Sequence, residues 1–134
     1  MRLIDSETVA IREETDLLLV RQLVRQRTAE LGFRKLGQSK AVTAASEIGR
    51  NTLTHGGGGK MLLQTCVELA RRGLRLTFED HGPGIADVER AMTDGYTTDG
   101  GLGLGPGGTK RLMDEFDLTS NVGMGTRVTV ALWT

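Results

Sequence analysis

The chain has a single cysteine, Cys66, so it cannot close an internal disulfide. Cys66 lies in an apolar segment with no base beside it, which suits a buried structural thiol better than a nucleophile. There are two histidines, His55 and His81, each next to a glycine at the end of an element. Two scattered histidines and one cysteine do not make a zinc site. Aromatic residues are only 4% of the chain, so its core must be mainly aliphatic. Neither sign of charge is in excess: seventeen basic and seventeen acidic residues sum to zero. That balance excludes the basic stripe of a nucleic-acid binder. No apolar run approaches the roughly 20 residues that cross a bilayer. The first residues, Met1 to Asp5, carry an acid where a signal peptide has its apolar stretch. These absences lead us to expect a soluble, cytoplasmic protein without a membrane or nucleic-acid partner.

With 134 residues the chain has enough length for one domain and one core, two layers thick. It is rich in glycine: many of its 19 glycines cluster at 56–59 and 100–108, which places backbone freedom at two loops. Residues 2–11 read as a first strand. A helix is expected from Asp16 to Leu31, capped by Thr15 or Asp16, with Leu19, Val20, Leu23, Val24 and Leu31 inward. Ser39 can cap a second helix to about Thr54, with an apolar stripe of Val42, Ala45, Ile48, Thr52 and Leu53. Met61–Leu69 and Leu74–Asp80 read as strands joined by a hairpin at Arg71-Arg72-Gly73. A short helix fits residues 86–93 and a loop fits 94–104. A further helix from Gly107 or Gly108 through Phe116 follows, then strands over 117–121 and 126–133. The sum is an α+β two-layer sandwich, with a mixed, mainly antiparallel sheet and helices on one side.

Chemistry concentrates in four places. On the second helix Glu47 and Asn51 are four residues apart and share a face with Ala44 and His55, away from the apolar stripe. Asn51 can give an oxygen to a hard cation such as magnesium, and Glu47 can polarise a hydroxyl or water. The same pattern suits a solvated polar face. Asp80 ends a strand on its apolar side, because Leu74, Leu76 and Phe78 share that face. A carboxylate there needs a partner. The exocyclic amine of adenine would serve, with Gly82 and Gly84 allowing close approach. A turn aspartate before Pro83-Gly84 is the plainer alternative. Thr126 is the corresponding polar residue on the inward face of the last strand. Gly101, Gly103 and Gly105 precede a helix whose N-terminus can bind phosphates, with Lys110 adding charge. A flexible loop would also be glycine-rich. Two other patterns fail. Gly56–Lys60 lacks the P-loop glycine at 54 and the hydroxyl residue at 61. Gly103–Gly108 fits a dinucleotide fingerprint but follows a loop, not a strand.

In order, Glu47-Ile48-Gly49-Arg50-Asn51, Asp80-His81-Gly82-Pro83-Gly84, Gly101–Gly105 and Gly125-Thr126 resemble the motifs of the GHKL ATPase superfamily, whose domain is the Bergerat fold. The resemblance spans essentially the whole chain. Asp94-Gly95-Tyr96-Thr97-Thr98, Gly101–Gly105 and Lys110–Phe116 look specifically like the RsbT type of serine/threonine switch kinase found in bacterial stressosomes. That likeness implies an ATP-dependent kinase that phosphorylates a serine of a STAS-domain protein. It also implies a second partner, a PP2C-type phosphatase or other output protein. By the same likeness Asn51 holds magnesium, Glu47 is the catalytic base and Asp80 binds adenine. Gly82, Gly84, Gly101, Gly103 and Gly105 line the pocket, Thr126 sits near the base, and residues 94–104 form the ATP lid. Anti-sigma factors of the same superfamily carry all four motifs and are the alternative. A sensor histidine kinase is disfavoured, since the chain lacks a phosphoacceptor helical domain. Pro106-Gly107-Gly108-Thr109 departs from the Leu-Pro-Gly-Ala usual in this type, so the start of the following helix should differ.

Overall fold

A computed structural model describes residues 1–85 and 105–134. The described elements are β1 (Arg2–Ile11), α1 (Glu14–Glu30), α2 (Lys35–Thr54), β2 (Gly59–Glu68), β3 (Arg71–Asp80), α3 (Gly105–Leu112), β4 (Glu115–Asn121) and β5 (Gly125–Trp133). The strands form one sheet in the order β1-β2-β3-β5-β4, with every pairing antiparallel. The expected helix over 86–93 and lid over 94–104 lie outside the described residues.

The core forms where the sheet's inner face meets the helices. Strand alternation sends Met61 and Leu63 of β2, Leu74, Leu76 and Phe78 of β3, and Val128, Val130 and Leu132 of β5 to that face, all buried. Met61 pairs across the ladder with Phe78, and Leu63 with Leu76, so the register itself assembles the centre of the core. Each such side chain contributes about 1.5–3 kcal/mol on burial. Leu17 of α1 and Phe78 of β3 converge on α2 at Gly49. Arg50 near the end of α2 reaches Glu14 at the start of α1, at 3.2 Å, so the two helices run antiparallel. Deeper in the layer, the Arg27 guanidinium joins α1 to β1 through Glu7 at 2.8 Å and Asp5 at 3.5 Å.

Several boundaries differ from the sequence reading, each for a local reason. Helix α1 starts at Glu14, and the Asp16 carboxylate turns back to accept the N–H groups of Arg12 and Glu13. Its buried positions are Leu17, Val20, Val24 and Thr28; Leu19, expected inside, is exposed. Helix α2 starts at Lys35, so Ser39 is inside the helix and not its cap. Buried Phe33 anchors that start, and the Gln38 side chain donates to the Phe33 carbonyl at 2.9 Å. The β2–β3 turn is at Leu69-Ala70, with Leu69 left-handed at φ 56°. Gly73 belongs to β3, where the Trp133 ring packs over it. Helix α3 ends at Leu112, and Phe116 belongs to β4, still packed against the core.

Candidate functional site

The inward alternation of β3 carries Asp80 to the end of the core face, as the sequence implied. Its Oδ1 accepts two backbone N–H groups, from Gly82 at 2.9 Å and Thr126 at 3.2 Å. One carboxylate oxygen thus ties the first glycine turn to the start of β5. The second oxygen, Oδ2, makes no hydrogen bond among the described residues and stays available as an acceptor. Its carboxyl lies against Gly56, where any side chain would overlap it.

That contact brings α2 to the site. The Asn51 carbonyl accepts the N–H groups of His55 and Gly56, and the Thr52 carbonyl accepts that of Gly58, so the glycine run folds directly over the end of α2. Asn51 and Glu47 lie one turn apart, both half-buried. Among the described residues neither side chain has a hydrogen-bond or ion-pair partner. Two half-buried polar groups without an internal partner differ from the structural polar side chains nearby. Thr52, for instance, donates to the Ile48 carbonyl at 2.9 Å.

The first glycine turn is clasped to the β4–β5 hairpin. Gly123 donates to the Pro83 carbonyl at 2.8 Å. Gly84 holds φ 77°, and a side chain there would run into the Asn121 carbonyl, so the clasp requires glycine. Sequence reasoning missed Ser120. Its hydroxyl accepts the Ile85 N–H at 2.7 Å and lies 2.8 Å from Thr126 Oγ1. The signal was available in the hairpin register, which pairs Ser120 directly with Thr126.

The remaining expected residues divide. Gly105 opens α3, two residues earlier than expected. Lys110 is exposed in the last turn of that helix, so it does not reinforce a helix N-terminus as the sequence reading had it. Gly101 and Gly103 lie outside the described residues. At the same strand ends is a hollow of about 220 Å³, lined by Asp80 and Thr126 together with Glu79, His81, Thr119, Asn121, Met124, Gly125 and Arg127. The hollow therefore opens beside Asp80 and Thr126, and it also takes in side chains such as Glu79, Thr119 and Arg127 that alternate to the other face of the sheet.

Asp80 with an unpaired carboxylate oxygen, the half-buried α2 polar pair and the glycine clasp between strands thus meet at one end of an α+β domain. Residues 12–132 match the family of the histidine kinase-like ATPase domain, and the chain belongs to that family. Within it, the chain is of the RsbT type. It is 42% identical over 129 residues to the serine/threonine-protein kinase RsbT of Bacillus subtilis, covering 96% of this chain and 97% of that protein. It is also 34% identical over 91 residues to an anti-sigma F factor of Clostridium novyi, covering 64% of each chain. The fold matches the RsbU and RsbW domains of a Mycobacterium tuberculosis protein with a TM-score of 0.65. There the identity is 17%, and the match covers 96% of this chain and 32% of that one. The two-layer α+β fold and the protein-kinase reading drawn from the motifs are both borne out, with ATP as the nucleotide that this family uses.

Proposed function

We propose that this chain transfers the γ-phosphoryl group of ATP to a serine on a small STAS-domain protein. The transfer releases the kinase to a second partner, a PP2C-type phosphatase or another output protein, in a bacterial pathway of the stressosome kind. The observation that carries the reading is the Glu47 and Asn51 pair: half-buried, one turn apart, without a partner among the described residues, and on the helix whose end meets Asp80. The likeness to RsbT along nearly the whole chain supports it.

In this reading Asp80 Oδ2 accepts the exocyclic amine of adenine, while Gly82 and Gly84 keep the turn close to the base. Thr126 lies beside it, and Gly101, Gly103 and Gly105 line the phosphate end. Glu47 takes the serine proton as the serine oxygen bonds to the γ-phosphorus and the bond to the leaving ADP oxygen breaks. Asn51 offers one neutral oxygen to magnesium. No group of three or more His, Cys, Asp or Glu side chains able to hold a metal occurs among the described residues. So sparse a donor set fits an ion that completes its shell with waters and phosphate oxygens. When bound, magnesium neutralises charge on the phosphates. Dependence on intracellular ATP puts the reaction in the cytoplasm. No helix among the described residues is long and apolar enough to cross a membrane.

Intact-mass spectrometry tests this. The chain is incubated with magnesium-ATP and a STAS-domain protein encoded beside it. One added phosphoryl group is expected. Glu47→Ala should bind ATP but add none, and Asn51→Ala should lose magnesium-dependent ATP binding while staying folded. Wild-type transfer by Glu47→Ala removes Glu47 as the base. The likeness to anti-sigma F factors favours a second reading, in which the chain binds a sigma factor and phosphorylates its antagonist. Co-purification with a sigma factor would establish that reading instead.

A further inference from the structure

We propose that the tip of the β4–β5 hairpin, Val122 and Met124, is a docking surface for the serine-bearing substrate protein. This deepens the reading above, that the chain phosphorylates a serine on a small protein domain, and it rests on that reading.

Val122 and Met124 are 70% and 73% exposed, far more than the core-packed residues of the same two strands. Aliphatic side chains exposed singly are ordinary on a protein surface. This pair differs in its company. Val122 and Met124 stand together at one turn, with only Gly123 between them. The turn is fixed: Met124 donates its N–H to the Asn121 carbonyl at 2.9 Å, and Gly123, at φ 80°, donates to the Pro83 carbonyl at 2.8 Å. The apolar pair is therefore presented on a set backbone, which lowers the ordering cost of a contact. Met124 also lines the hollow at the strand ends, with Thr119, Asn121 and Arg127 around it. At about 220 Å³ that hollow exceeds a cavity of roughly 150 Å³ that takes up benzene, so it has room for one large side chain of a partner.

The place of the tip names its occupant. A helix rises 1.5 Å per residue, so Glu47 and Gly56 are about 14 Å apart along α2. Gly56 lies against Asp80 and Gly82, and the next residue, Pro83, holds the hairpin at Gly123. Those contacts add little, so the tip is on the order of 20 Å from Glu47. A substrate domain of about 100 residues has a radius of gyration near 13 Å and is about 30 Å across. With its serine at Glu47, such a domain reaches the hairpin. A second copy of this chain is a poor occupant, because two side chains fall far short of the roughly 800 Å² that each partner buries in a stable interface. A small contact instead suits a protein that binds, is phosphorylated and leaves. Glu79 and Arg127 beside the tip are paired with each other at 3.4 Å, so their charges cancel and the contact is an apolar one. The complementary surface is an aliphatic patch on the substrate near its acceptor serine, with one side chain able to enter the hollow.

The test reads docking apart from nucleotide binding. Transfer to the STAS-domain protein encoded beside this chain is followed by intact mass over a range of substrate concentrations, with the full chain and magnesium-ATP. Val122→Asn with Met124→Gln keeps size and removes the apolar surface. Its KM for the STAS protein should rise about 10- to 100-fold, as for the loss of two packed interface side chains. Its kcat at saturating substrate and its calorimetric affinity for ATP should match the wild type. Met124→Leu, which stays apolar, should keep a wild-type KM. If the double variant does not fold, Met124→Gln alone should show a smaller rise. Leu69→Gln is the control: Leu69 is 96% exposed at the other end of β3, roughly 30 Å away, and its loss should leave KM unchanged. An unchanged KM in the hairpin variants overturns the proposal, and so does an equal rise in Leu69→Gln. Weaker ATP binding by the same factor as the rise in KM also overturns it, since the hairpin then acts through the glycine turn. An unchanged KM with weaker binding of the PP2C-type phosphatase assigns the tip to that partner instead. If the wild type adds no phosphoryl group to the STAS protein, the kinase reading itself fails and the proposal falls with it.

Discussion

Replacing Asp80 by asparagine should separate its structural role from the role proposed for it, because one oxygen of the carboxylate is already hydrogen-bonded and the other is not. Oδ1 holds the N–H groups of Gly82 and Thr126, and Oδ2, beside Gly56, has no hydrogen-bond partner among the described residues. Asparagine keeps one oxygen and gains two donors. If the amide oxygen stays on the backbone N–H groups, those bonds persist as neutral ones, roughly half as strong. The cost to stability is then about 1–2 kcal/mol. For a chain of 134 residues that lowers Tm by about 4–7 °C. In the proposed reading the outward group is then an amide donor facing the adenine amine, so a charge-assisted bond is lost. Affinity for ATP should fall by about 2–3 kcal/mol, roughly 30- to 150-fold. If the amide flips to offer its oxygen outward, its N–H₂ meets two backbone donors, and the loss appears in stability instead. Thermal scans and calorimetric titration of the same preparation read both quantities. The reasoning fails if Asp80→Asn binds ATP within threefold of the wild type while its Tm falls by no more than a few degrees.

Legibility in the sequence followed the range of the interaction. Alternation in Leu74-Arg75-Leu76-Thr77-Phe78 was enough to turn Asp80 inward, since a strand's faces follow from its own residues. The apolar stripe of α2 was similarly local, so Glu47 and Asn51 were correctly separated from Val42, Ala45 and Ile48. What failed depended on distant partners. Arg71-Arg72-Gly73 reads as a turn, but Gly73 is small because Trp133, sixty residues later, lies over it. The run Leu17-Leu18-Leu19-Val20 offers more than one apolar stripe. Which of its leucines is buried is decided by where α2 packs, so Leu17 is inside and Leu19 is not. Ser120 sits in a short strand of alternating exposure, and nothing in Asp117–Asn121 alone marks it. Only its place opposite Thr126 does. Gly56 read as one of four loop glycines, yet it is the point where α2 and Asp80 meet.

Two further perturbations test the frame around the site. Arg27→Ala removes a guanidinium that bridges Asp5, Glu7 and Glu30, and it should cost about 1–2 kcal/mol in urea denaturation. The partners are roughly half exposed and regain water, so the loss should shrink in 1 M salt; a loss unchanged by salt would mean that packing, not charge, holds α1 to β1. The second perturbation is pH acting on Cys66. Burial pushes its thiol up from the ordinary value, a rise that outweighs the opposing pull of the Arg75 charge. The folded protein therefore holds this proton more tightly than the unfolded chain does. For an acid stabilised in its neutral form, the contribution is complete below the unfolded thiol value, about 8.5, and is lost as pH rises through the higher folded value. Wild-type stability should thus fall faster than that of Cys66→Ala between pH 8.5 and 10, measured by denaturant titration. The alanine variant carries only a constant penalty for the space left by sulfur, which has no reason to vary with pH. Parallel curves for the two proteins across that range would show that folding leaves the Cys66 proton unchanged, and the assignment of Cys66 as a desolvated structural thiol would be wrong.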